Sequence, residues 1–229
     1  MPKQVRRAVY VREPVSMVDR GDDAGEKRMK TLRWGMGLAA VLTVTTAHAA
    51  PETHDGFYFK LNFGSGSTMI ETVEEPSSSI EGASGAFGLS LGYMVVQDLG
   101  LYVVLSGNSI LGPTFRDADG STSTADDKVE VGVGGLGIGA VYYFMPVNMY
   151  VAGSLISDSM TLRVDGQNYD TEITGLGMEL VFGKEWWVSD EWGLGIAASL
   201  RASALESASE LATEWSAASF NVLLSATYN

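Results

Sequence analysis

The chain has 229 residues, of which only 19% are charged, and 27 of them are glycine. A sheet surface facing water would carry many more Lys and Glu along its strands, so this composition argues against a soluble sheet protein. Cysteine is absent, which excludes a disulfide framework, a thiolate metal site and lipid attachment through a cysteine.

Residues 1–28 are charged and mixed in sign. They are followed by the short basic stretch Met29-Lys30-Thr31-Leu32-Arg33, an apolar run from Trp34 to Thr46, and Ala47-His48-Ala49. This is the basic, apolar and small-x-small order of a secretory signal peptide over 29–49, with cleavage expected after Ala49. Translation is then expected to start at Met29, with 1–28 a misassigned upstream start and 50–229 the folded domain. Residues 1–49 hold nine of the 15 Lys and Arg but five of the 28 Asp and Glu, which leaves −17 on the remainder. So acidic a chain is a poor partner for nucleic acid, whose phosphates need Lys and Arg. After residue 49 no apolar run reaches the 18 residues of a transmembrane helix.

From Phe57 onward, large apolar residues fall on every second position, the period of a strand with one apolar face. The first predicted strand, Phe57–Gly64, places Phe57, Phe59, Leu61 and Phe63 together. A polar connection from Glu71 to Gly82 leads to a second strand with Phe87, Leu89, Leu91 and Tyr93 alternating with glycine and serine. A tight link, Val95 to Leu99, precedes the third strand, Gly100 to Ser109, which is apolar on both faces over Leu101–Leu105. The connection from Leu111 to Lys128, rich in Asp, Ser, Thr and Gly, reads as irregular.

The fourth strand, Val129–Phe144, carries Val129, Val131 and Val133, then Leu136, Ile138, Ala140, Tyr142 and Phe144. That change of parity at Gly134-Gly135 predicts a β-bulge. Met145-Pro146-Val147 turns into a fifth strand starting at Asn148, and Val164–Gln167 forms the next connection. The sixth and seventh strands make a hairpin around Val188–Glu191. Leu176, Met178, Leu180 and Phe182 alternate on one arm, and Leu194, Ile196, Ala198 and Leu200 on the other. A link over Glu206–Glu214 precedes the last strand, Trp215–Tyr228. The connections alternate long and short, the order of extracellular loops and periplasmic turns in an up-and-down barrel.

Aromatic residues gather at the end with the short turns. Tyr93, Tyr142, Tyr143, Trp186, Trp187, Trp192 and Tyr228 are expected to form an interfacial girdle there, with Phe87, Tyr169 and Trp215 as a sparser girdle opposite. The small and polar face holds the charges. Glu179 and Arg201, about equally far from the turn, are expected to pair across the hairpin inside the lumen. Lys60 and Glu185 lie nearer the periplasmic mouth on the same face.

Residues 50–229, with the hairpins Gly88–Val103, Gly137–Gly153 and Gly177–Ala198, resemble the small eight-stranded outer-membrane barrels: the OmpA transmembrane domain, OmpX and the opacity-type surface proteins. The resemblance implies an all-β, eight-stranded antiparallel up-and-down transmembrane β-barrel in a Gram-negative outer membrane. Lipid and lipopolysaccharide would surround it, and the barrel-insertion machinery would recognise its final strand, here ending Tyr228-Asn229. Barrels of this kind that modify lipid or cleave peptides use a His near the outer leaflet. Past residue 49 the chain has only His54, at the opposite end, so no enzyme and no cofactor are expected. Asp117-Ala118-Asp119-Gly120 with Asp126-Asp127 lacks the ligand spacing and closing Glu of a calcium loop. The function expected is an envelope-structural or surface-interaction role through acidic extracellular loops. A narrow small-solute channel and a secreted soluble barrel with its apolar faces inward are the alternatives.

Overall fold

The computed structural model describes residues 54–169, 173–208 and 213–229. The expected signal peptide and upstream stretch lie outside them. Among the described residues, eleven strands follow one another: β1 (Gly56–Thr72), β2 (Ser79–Val96), β3 (Leu99–Leu111), β4 (Thr114–Arg116), β5 (Thr122–Thr124), β6 (Val129–Phe144), β7 (Met149–Val164), β8 (Gln167–Tyr169), β9 (Ile173–Trp187), β10 (Trp192–Ser207) and β11 (Glu214–Tyr228). Eight of these form an antiparallel ring in the order β1-β11-β10-β9-β7-β6-β3-β2, and β1 closes it by pairing β2 as well. Closure leaves these eight strands without an unpaired edge, the condition a strand structure must meet in lipid.

The alternation decides which face points where. Leu176, Met178, Leu180 and Phe182 on β9 and Leu194, Ile196 and Leu200 on β10 all point outward, Leu176 being 72% exposed. Their sequence neighbours Val181, Glu185, Ala197, Ser199 and Arg201 are buried in the lumen. So large an apolar outer surface has no place in water and matches the band that lipid covers. The soluble, inside-out alternative requires the opposite phase.

The barrel strands run further toward the long loops than the alternation alone indicates. On β7 the outward positions Val151 and Leu155 give way to Ser157, Ser159 and Thr161, yet pairing with β6 continues to Val164. Above the lipid band both faces can be polar, so the hydrophobic signal ends while the hydrogen-bond ladder does not. The connection read as irregular carries the β4–β5 hairpin, which pairs with β2 through Ser79 and Arg116. Asp165 and Gly166 both take positive φ (51° and 77°), the backbone of a tight two-residue hairpin into β8.

The expected bulge at Gly134-Gly135 is absent. The register runs unbroken from Leu99↔Tyr142 to Leu111↔Glu130 and along the whole of β6–β7, and among the described residues the one shift lies at Met94/Val96. What changes at these glycines is the environment rather than the phase. Val131 and Val133 face inward, as do Val141 and Tyr143, while Leu136 and Ile138 face lipid. The inward valines join Ile70, Met160, Leu205 and Ala217 in an apolar cluster at the loop end of the lumen. Gly135 itself is needed for close strand approach, because a Cβ there would sit 1.8 Å from the Ser157 carbonyl oxygen.

Candidate functional site

The polar face of every barrel strand converges on the lumen, and side chains fill it in successive levels. At the end with the short turns, His54 precedes β1 and is completely buried. Its ring stacks on Tyr143 at 3.5 Å between centroids and lies 4.9 Å from Trp187. Nε2 lies 2.8 Å from Asn148 Oδ1, and Nδ1 is bonded by the Asn229 side-chain amide. The Asp98 backbone N–H donates to the His54 carbonyl at 3.1 Å. One residue thereby ties the β2–β3 turn, the β6–β7 turn and the end of β11 together.

Beneath it lies an ion pair. Lys60 Nζ is 2.5 Å from Glu185 Oε1, and both side chains are buried. Thr227 donates to the same oxygen at 2.6 Å. The Lys60 ammonium also sits 3.4 Å from the centre of the Tyr150 ring. A desolvated ammonium gains from a π face as well as from a carboxylate, which is why two inward tyrosines crowd here. Tyr58, Tyr143 and Tyr150 are all fully buried around the pair.

The next level is a cavity of about 30 Å³ lined by Asn62, Ser90, Tyr102, Ser154 and Glu179 among others. Above it lies a second network. Arg201 and Glu179 are direct register partners on β10 and β9. Even so, the carboxylate that pairs with Arg201 is Asp158 on β7, one strand further round. Asp158 also accepts from Ser203 at 2.6 Å, and Arg201 donates to Ser106 at 2.9 Å. Glu179 takes a longer hydrogen bond of 3.4 Å from Ser106.

The physical reason is a gap. Gly177 faces inward on β9, between Asp158 and Arg201, and a Cβ there would meet Asp158 Oδ2 at 2.1 Å and Ser203 Oγ at 2.8 Å. Without a side chain at that point, Asp158 reaches over the strand. A purely neighbour-to-neighbour reading misses it, although an inward glycine flanked by Ser203 is the available signal. Asn108 and Asn221 bond across the same level at 2.8 Å. The apolar cluster then caps the polar column at the loop end, and Trp215 packs against it from the lumen side.

The aromatic girdle divides by parity. Phe57, Tyr93, Tyr142, Phe144, Trp186 and Trp192 face outward around the short-turn end, and Tyr228 lies edge-on to Trp192 at 5.4 Å. Tyr143 and Trp187 instead contact His54 inside the mouth. Adjacent residues of a strand cannot share a face, so Tyr142-Tyr143 and Trp186-Trp187 each supply one outward and one inward ring. Trp215 likewise leaves the opposite girdle, whereas Phe87 stays exposed on the outer face and Tyr169 is exposed on β8.

At the loop end, the described basic residues are matched by carboxylates. Arg116 lies 4.0 Å from Glu81, Lys128 3.1 Å from Asp165 and Arg163 3.4 Å from Glu130. Hydrogen bonds from the Ser121 side chain and backbone hold the Asp119 carboxyl below its ordinary value. Among the described residues, no group of three or more His, Asp or Glu is arranged to hold a metal ion.

No protein-family model matches the chain, and no curated protein matches its sequence. Among solved structures, the crystal structure of Neisserial surface protein A is similar at 12% identity and TM-score 0.47, over 77% of this chain and 97% of that one. The outer membrane protein OprG from Pseudomonas aeruginosa is similar at 12% identity and TM-score 0.42, over 77% and 98% of the two chains. The outer membrane protein AlkL, solved by solid-state NMR in DMPC lipid bilayers, is similar at 12% identity and TM-score 0.43, over 76% and 90%. A closed ring of eight antiparallel strands, apolar toward lipid and polar toward its lumen, is an integral outer-membrane β-barrel.

Proposed function

We propose that the barrel is a non-conducting, non-enzymatic membrane scaffold whose working surface is its acidic extracellular end, serving envelope integrity or contact with the surroundings. The observation that carries this reading is the filled lumen. Its cavity of about 30 Å³ has room for one or two water molecules and no solute. The His54 level closes it on one side, and the Arg201–Asp158 network with the apolar cluster closes it on the other. His54 is engaged at both ring nitrogens and sits at the end away from the loops, so it offers no general base to an external substrate.

The loop surface carries Glu71, Glu74, Glu75, Glu81, Asp117, Asp119, Asp126 and Asp127. Glu206 and Glu214 stand directly opposite each other on β10 and β11, both exposed. Like charges so placed repel one another and any anionic partner. Approach of lipopolysaccharide phosphates to this end therefore depends on bridging divalent cations. We assign β11, which ends at Tyr228 beside the outward girdle, to recognition by the insertion machinery.

The polar column Ser90, Ser106, Asn108, Ser154 and Asn221 favours the narrow channel as the second reading, since such a lining could pass ions if its side chains moved apart. Single-channel recording in a planar bilayer at neutral pH separates the two. The scaffold reading predicts a flat baseline with insertion verified by protease protection. Stable, reproducible current steps would overturn it.

A further inference from the structure

We propose that His54 is a pH-operated latch on the periplasmic mouth: its neutral ring holds the mouth shut, and protonation expels the ring and admits water to the lumen as far as Lys60. The geometry fits the neutral ring at both nitrogens. Nε2–H donates to Asn148 Oδ1, and Nδ1, without a proton, accepts from the Asn229 amide. A second proton on Nδ1 would point at that amide donor and require the Asn229 amide to turn over. The ring is also wedged between Tyr143 and Trp187 with no exposure to water, where a new charge loses its hydration.

The charged groups facing the ring come from three elements. Asp98 in the β2–β3 turn and Glu185 on β9 favour the protonated form, and Lys60 on β1 opposes it. Glu185 is already committed to Lys60 at 2.5 Å. Among the described residues, Tyr143 on β6 is the remaining titratable neighbour, and it touches the ring face-on. Burial outweighs these influences and holds the imidazole below its ordinary value of 6.5.

The closed mouth binds the proton less well than the open one, so closure is at full strength above the free imidazole value. It weakens as pH falls toward the buried value and then levels off. Within that window the open population rises by up to about tenfold per pH unit. No neighbouring chain or ligand is needed, and the latch would act in whatever envelope the barrel occupies.

The test uses the full chain in lipid nanodiscs and follows amide hydrogen exchange, expressed as protection factors so that the intrinsic pH dependence cancels. The reporters are the Asp98 N–H, bonded to the His54 carbonyl at 3.1 Å, and the Glu185 N–H, bonded to the Asn148 carbonyl at 3.0 Å. The Leu200 amide in the barrel wall is the internal control. Between about pH 8 and about pH 5, protection at Asp98 and Glu185 is expected to fall, by at most about tenfold per pH unit, while Leu200 holds steady. His54→Gln should abolish the pH dependence. Constant protection in the unmodified protein, or the same fall in His54→Gln, would overturn the proposal. If that variant does not fold, NMR titration of the His54 imidazole in the unmodified protein decides. A midpoint below 6.5 that coincides with the loss of protection supports the latch, and a midpoint above 6.5 refutes it.

Discussion

Glu185→Ala is expected to cost the folded barrel about 3–5 kcal/mol, because it leaves the Lys60 ammonium buried without its counter-ion. The pair is fully enclosed at 2.5 Å, and Thr227 spends its hydroxyl on the same carboxylate oxygen. Lys60→Met with Glu185 intact should cost a similar amount, since it strands the carboxylate instead. The double variant Lys60→Met/Glu185→Leu should recover most of the loss, because two apolar side chains of similar size carry no desolvation penalty. Urea unfolding in lipid vesicles, followed by tryptophan fluorescence, measures all three. The ordering is the discriminating feature. A double variant as unstable as either single one would mean that the pair is held for reasons other than its charge balance. Tyr150 is left unchanged in each variant, so the loss of cation–π contact is common to the Lys60 variants and separable by comparison.

The second large effect concerns which carboxylate serves Arg201. Arg201→Ala and Asp158→Ala should each cost about 3–5 kcal/mol, and a double-mutant cycle between them should show strong coupling. Glu179→Gln should cost about 1 kcal/mol or less, since its hydrogen bond from Ser106 at 3.4 Å survives with an amide oxygen. Gly177→Ala leaves every charge in place yet should behave like loss of the pair, because its methyl group would occupy the space through which Asp158 reaches Arg201. Coupling of Arg201 to Glu179 stronger than to Asp158 would contradict this arrangement.

Much of the fold was legible because a strand's two faces differ most where one meets lipid and the other a narrow lumen. Leu176 to Phe182 and Leu194 to Leu200 declare their phase at a glance, and the register Arg201↔Glu179 follows from the short turn between them. Three things were hidden, each for a physical reason. Ser157, Ser159 and Thr161 carry the sheet beyond the lipid band, where alternation no longer reports burial. Val131 and Val133 look out of phase with Leu136 and Ile138 because the apolar face switches from lipid to lumen where the band ends, which imitates a bulge. Arg201 takes its partner across an intervening strand, through space left by a glycine, and no pairwise rule between adjacent strands contains that contact.

His54 shows the same limit in the site. A lone histidine at the end away from the loops reads as irrelevant to surface chemistry, yet its position just before β1 lets it fold under the barrel. There it meets side chains from Tyr143, Asn148, Trp187 and Asn229, which are distant in sequence and brought together only by closure of the ring.

The most direct test of the central claim is the phase of β10 with respect to lipid. The chain has no cysteine, so single cysteines at successive positions from Leu194 to Leu200 can each carry a spin label in reconstituted vesicles. Collision with oxygen, which concentrates in the acyl chains, should be high at Leu194, Ile196, Ala198 and Leu200 and low at Gly195, Ala197 and Ser199, repeating every second residue. Collision favoured at Ala197 and Ser199, or access of a water-soluble reagent to Leu194, Ile196 and Leu200, would contradict a barrel that turns its apolar face to the membrane.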